Sequence, residues 1–109
     1  MEKLVWKDKK FNGVTVTKMH EMNGTKEIRI NLEKGAVMKE HQAPGAISVQ
    51  ILKGQIEFGV NQESIELNEL DMITLDANVP HSLIALQNSI VRLSLSKNDD
   101  VSRVFSVLK

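Results

Sequence analysis

From residue 14 to residue 95 the apolar side chains recur mostly at every second position, and no other feature constrains the fold of this chain as strongly. Successive side chains of an extended strand point to opposite faces, whereas a helix brings its apolar residues back every three or four positions. Ile28, Ile30 and Leu32 alternate with Glu27, Arg29 and Asn31, which places aliphatics on one face and polar groups in water. Comparable runs at 14–19, 46–52, 56–60, 64–67, 72–75, 81–86 and 90–95 predict eight or nine short strands.

Turn formers separate the runs: Asn12-Gly13, Asn23-Gly24, Lys34-Gly35, Pro44-Gly45, Lys53-Gly54, Asn61-Gln62, Asp76-Ala77-Asn78 and Gln87-Asn88. Strands punctuated this closely, with no helical stretch between them, predict an all-β sandwich or small barrel and argue against βαβ units. The period changes only near the C-terminus. Val101, Val104, Phe105 and Leu108 stand at i, i+3, i+4 and i+7 behind Asn98-Asp99-Asp100, which can cap a helix, so a short terminal helix is expected.

A chain of 109 residues is expected to form a single domain, 1–109, with one core that needs no metal or disulfide staple. Fourteen Lys plus Arg balance fourteen Asp plus Glu, so no net field draws the chain to a phosphate backbone or an acidic lipid surface, and neither nucleic acid nor membrane is an expected partner. The absence of cysteine removes disulfides, thiolate catalysis, zinc fingers and iron–sulfur clusters together. No apolar run is long enough to span a bilayer, and Met1-Glu2-Lys3-Leu4-Val5-Trp6 is followed by no signal-like apolar stretch, so a cytoplasmic location is expected.

Two stretches carry aliphatics on both parities, 46–52 and 82–86. A strand with one wet face needs only one apolar parity, so both stretches call for a cover on each side. A homodimer buried around Val49 and Ile84 supplies one, and the terminal helix lying over the sheet is the alternative.

Gly35-Ala36-Val37-Met38-Lys39-Glu40-His41, followed by Pro44-Gly45 and an aliphatic run ending at Gly54, resembles the first motif of the cupin superfamily. Leu70-Asp71, then Asp76-Ala77-Asn78 and Pro80-His81, resembles the second. Gly35, His41 and Gly54 fall in register with the first motif (about 35–54), and Asp71, Pro80 and His81 with the second (about 70–85). The resemblance spans residues 14 to 95 and implies an antiparallel double-sheet jelly-roll β-barrel. It also implies that His41 and His81 face one another.

Metal-binding cupins hold an ion with three His and one Glu, and here the second His of the first motif is Ala43 and its Glu is Ile47. No inward-facing acid takes their place by parity. Glu57 alternates with Ile56 and Phe58, Glu27 alternates with Ile28, and Glu40 shares the face of His41 only if a bulge intervenes. Gln50 has the parity opposite to position 47, His20 has no motif support and is expected at the surface, and Met19, Met22, Met38 and Met72 read as irregular core filling, with Met38 a candidate for a pocket mouth.

Three functions therefore stand side by side. The favoured reading is a small-molecule pocket walled by Ile47, Val49, Ile51, Ile73, Leu75, Leu83 and Leu93, with His41 and His81 as its polar groups and, at most, a weakly held Zn, Ni, Mn or Fe ion. The alternative is a metal-dependent dioxygenase or isomerase in which His41 and His81 ligate the ion. The third is a decayed site filled by the protein's own side chains, which Ala43 and Ile47 suit. A metal-free isomerase of the cupin kind uses a Tyr acid, and the chain has no Tyr.

Overall fold

The structure, a computed structural model, describes residues 1–96 together with Val101, Val104 and Val107. Among these residues nine strands follow in chain order: β1 (Val14–Met22), β2 (Thr25–Leu32), β3 (Val37–His41), β4 (Ile47–Lys53), β5 (Gln55–Val60), β6 (Glu63–Asn68), β7 (Met72–Leu75), β8 (His81–Ala85) and β9 (Ser89–Ser96). They form two sheets, ordered β1-β2-β9-β4-β7 and β3-β8-β5-β6. Every pairing is antiparallel. This is an all-β architecture of the kind expected from the strand spacing, and its two antiparallel sheets agree with the jelly roll that the resemblance implies.

Eight of the strands coincide with the alternating runs. The ninth, β3, escapes the alternation because a register shift between Met38 and His41 inserts a bulge against β8.

Cross-strand rows build the core. Ile28, Leu93, Val49 and Ile73 lie in one row across β2, β9, β4 and β7, with Ile30, Val91 and Ile51 in the next. The other sheet faces them with Met38, Leu83 and Phe58 in one row, which ends at the exposed Ile65 on the edge strand, Ala85, Ile56 and Leu67 in a second, and His41, His81 and Val60 in a third. Each fully buried aliphatic contributes about 1.5–3 kcal/mol. Val49 is part of this interior, so β4 does not present it to a partner. On β8 the outward residue is Ile84, 41% exposed beside its cross-strand neighbour Val37 at 55%.

Residues 1–13 form no strand. They lie against the five-stranded sheet, tied by Asp8 to Arg29 at 3.1 Å and by the Asn31 amide donating to the Lys10 carbonyl, and Trp6 shares a groove with Leu52 and Ile90. The arm thus reaches only the Leu52 end of β4, a neighbour that the sequence did not suggest. Of the expected terminal helix, Val101 and Val104 are helical and Val104 is buried in the core, while Phe105 and Leu108 lie outside the described residues. Only Met38 among the four scattered methionines is buried, and Met22 and Met72 are exposed. No helix among the described residues is long and apolar enough to cross a membrane.

A candidate site at a buried histidine pair

His41, the last residue of β3, and His81, the first of β8, are direct cross-strand partners. The bulge in β3 matters here. Strict alternation from Met38 turns His41 outward, and the extra residue resets the parity so that both side chains reach the interior. The two imidazole rings meet edge to face with their centroids 4.3 Å apart. His81 is 5% exposed and His41 half-buried.

Each ring is held by the backbone two residues upstream. His41 Nδ1 lies 2.7 Å from the Lys39 carbonyl oxygen and His81 Nδ1 lies 2.9 Å from that of Val79. A carbonyl only accepts, so Nδ1 carries the proton in both rings and Nε2 bears the lone pair when the ring is neutral. Phe58 of β5 stacks on His81 almost parallel, 11° between planes and 5.6 Å between centroids.

Beside the pair lies a partly open cavity of about 20 Å³, with Met38, Ile47, Val49, Leu83, Leu93 and Val104 among the residues that line it. That volume admits about one water molecule. Ile47, Val49, Leu83 and Leu93 thus join the histidines as the sequence suggested. Ile51 is buried elsewhere in the core, and Ile73 and Leu75 line a different space.

The different space is a groove of about 280 Å³ at the seam between edge strands β6 and β7, with Phe58, Val60 and Ile65 as its other apolar walls and Asn61, Glu63 and Thr74 at its rim. Phe58 walls both spaces. Sequence reasoning passed over Phe58, although its parity, in step with Ile56, marks it as inward; nothing local announces that its ring separates a groove from a histidine.

The cupin resemblance implies a divalent metal, and the residues do not fit one. Among the described residues no three His, Cys, Asp or Glu side chains cluster closely enough to hold an ion. Ala43 and Ile47 are buried where the missing His and Glu belong. The bulge does not bring Glu40 inward, and Glu57 is exposed as well. Gln50 donates weakly to the Leu70 carbonyl on the outer face of its sheet, and His20 lies 3.4 Å from the Glu2 carboxylate.

Glu27 also faces outward, but it is not simply in water. Arg92 grips it through two nitrogens at 3.0 Å and Ser94 donates to it at 2.7 Å. Burial alone pushes the Glu27 carboxyl up; the hydrogen bonds and the guanidinium charge outweigh that and hold it below the usual carboxylate value. The same bond to Glu27 raises Arg92.

Comparison with known proteins supports the fold and stops there. A scan of family models finds no match to the chain, and neither does a search of the curated proteins. Among solved structures, an RmlC-like cupin from Desulfovibrio desulfuricans superposes with a TM-score of 0.77 at 16% identity, covering 89% of this chain and 96% of its own. A cupin superfamily protein from Desulfitobacterium hafniense gives 0.74 at 15% identity over 82% of each chain. A conserved protein of unknown function from Streptococcus pyogenes gives 0.71 at 21% identity over 92% and 98%. At such identities the likeness is one of fold.

Proposed function

This chain is a small cupin-fold protein, and from that premise we propose that it is a small-molecule-binding module whose ligand enters at the β6/β7 seam and rests against Phe58. The observation that carries this reading is the double role of Phe58: one side of its environment is the 280 Å³ groove, the other is the histidine pair. The groove is near the lower end of small-molecule pocket sizes and has their usual makeup, apolar walls with a few polar groups at one edge. The ligand class is accordingly a small, mostly apolar organic molecule with a hydroxyl or amine end that meets Asn61, Glu63 or Thr74. The barrel interior itself has no room for such a molecule while Phe58 keeps its position.

A metal-dependent oxygenase or isomerase is the weaker reading, because two imidazoles without an acid make half of a divalent first shell. Chemical-shift mapping with a fragment library tests the proposal: binders should perturb Phe58, Ile65, Ile73 and Leu75 together and lose affinity in Phe58→Ala. Fragments that consistently map to the outer sheet faces instead refute it. Calorimetry with Mn(II) and Ni(II) should give only weak binding, and a stoichiometric submicromolar Kd reinstates the metalloenzyme.

We also propose that the exposed Val37 and Ile84 pair centres a homodimer contact, since these neighbouring aliphatics have no cover among the described residues. Sedimentation should show a dimer that Ile84→Asp dissociates. A wild-type monomer at micromolar concentration removes the argument.

A further inference from the structure

We propose that the N-terminal arm completes a second binding site, on the outer face of the five-stranded sheet, for a small aromatic phosphate monoester. Parity supplies its apolar floor. Leu52 and Ile90 adjoin the core residues Ile51 and Val91 in sequence, so their side chains point away from the barrel interior. Ile90 is nonetheless only 4% exposed, and it stands outside the core cluster. The arm meets it on that side: a groove of about 650 Å³ is lined by residues 6–9 of the arm and by Leu52 and Ile90 of the sheet. Its volume is more than twice that of the seam groove and falls within the usual range of small-molecule sites.

The arm is tied down on both sides of residue 9. Asp8 binds Arg29 at 3.1 Å, the Asn31 amide donates to the Lys10 carbonyl at 3.2 Å, and the Gly13 N–H donates to the Glu33 carboxylate at 3.1 Å. The wall that the arm contributes is therefore held by three contacts to β2 and its end, although no strand pairing fixes it.

Charge then selects the ligand. Lys7, Lys9 and Lys53 line the groove, and among the described residues none of the three forms an ion pair. The Lys53 ammonium lies instead 5.3 Å from the centre of the Phe11 ring. Of the two carboxylates that line the groove, Asp8 is already engaged, one oxygen by Arg29 and the other by the Lys10 N–H. Three ammonium groups thus face one uncommitted carboxylate, Glu69, an excess that a phosphate monoester of about −1.5 to −2 near pH 7 offsets. A carboxylate fits less well. The planar fork that grips it best belongs to arginine, and Arg29 and Arg92 on this face are both committed, to Asp8 and Glu27. Ammonium ions act as point charges and suit the several oxygens of a phosphate. Trp6, half-buried in the same wall, offers the ring on which an aromatic body can stack above Leu52 and Ile90.

This groove shares no lining residue with the seam groove, so the two sites are tested apart. Trp6 is the only tryptophan of the chain, and its fluorescence reports this groove alone. Phenyl phosphate should change that fluorescence saturably. Inorganic phosphate, which lacks the ring, and benzyl alcohol, which lacks the charge, should each bind at least about tenfold more weakly, and benzoate severalfold more weakly. Lys7→Gln combined with Lys53→Gln should weaken phenyl phosphate about tenfold, and so should raising the salt to about 0.5 M. By calorimetry, Trp6→Leu should remove the preference for phenyl phosphate over inorganic phosphate while leaving the latter's weak affinity in place. Chemical-shift mapping should move the Trp6 indole N–H with the Leu52 and Ile90 methyls and leave Ile65, Ile73 and Leu75 still. Inorganic phosphate or benzyl alcohol binding as well as phenyl phosphate, benzoate binding more tightly, unchanged affinity in the folded double lysine variant, or shifts confined to Ile65, Ile73 and Leu75 each overturns the assignment.

Discussion

Leu70 sits with φ at +74°, in a region that costs an L-residue about 1–2 kcal/mol. Its side chain is exposed and packs little, so the strain has no compensation in the core. Glycine there relieves the strain and gives back about 0.5–1 kcal/mol of chain entropy, which leaves a net gain. Leu70→Gly is therefore expected to raise Tm by a few degrees; a lower Tm contradicts the account. Glu27 allows a pH test. Its folded carboxyl titrates below the ordinary value of 4.5, so its contribution is complete above that value and disappears as pH falls through the folded one. The stability gap between wild type and Glu27→Gln should be constant from pH 7 to about 5 and close below about 4.5. Urea midpoints against pH measure it, and a gap that widens in acid shows the sign to be wrong. At this scale the sequence revealed unequal amounts. Asn78 was readable as a turn residue, and its φ of +64° is the left-handed conformation that Asn tolerates. The Arg92 partner of Glu27 was not, because it lies 65 residues away and only the β2–β9 register brings them together.

Among the elements, the alternating strands were legible because one parity is uniformly apolar; Ile28, Ile30 and Leu32 leave no second arrangement. Strand β3 was not, since Lys39-Glu40 interrupts the pattern where the bulge lies. The motif positions located His41 and His81, but which wall residues join them depends on the stacking of two sheets. Ile73 shares a row with Val49 and still opens onto the seam because β7 is an edge. Tight turns were the most reliable signal, and Gly54 has two reasons to be glycine. Its φ is +90°, and a Cβ there overlaps Ser89 and the Asn88 carbonyl. Gly24 has a similar φ of +80° with open space around it. Gly24→Ala should therefore cost about 1 kcal/mol, and Gly54→Ala a further 1–3 kcal/mol because backbone must move. Equal losses in urea unfolding locate the cost in φ alone and dismiss the close approach.

At the scale of the molecule, the consequential strand is the last described one. β9 lies at the centre of the five-stranded sheet, between β2 and β4, so Thr25 pairs with Ser96 and Ser48 with Ser94. The hairpins β1–β2 and β5–β6 can close locally. The sheet that carries half of the core cannot, because closing it means ordering nearly the whole chain before Leu93 reaches Ile28 and Val49. Such topology places folding in the millisecond-to-second range rather than the microseconds of helical bundles. It also makes assembly all-or-none in chain length. A chain ending at residue 88 retains both hairpins and the four strands of the smaller sheet, but it leaves the apolar faces of β2 and β4 without the strand that joins them. It is expected to show no cooperative unfolding transition and rapid proteolysis throughout. A cooperative urea transition in that fragment, or refolding of the full chain within microseconds, means that the two sheets close by some order other than the one their register implies.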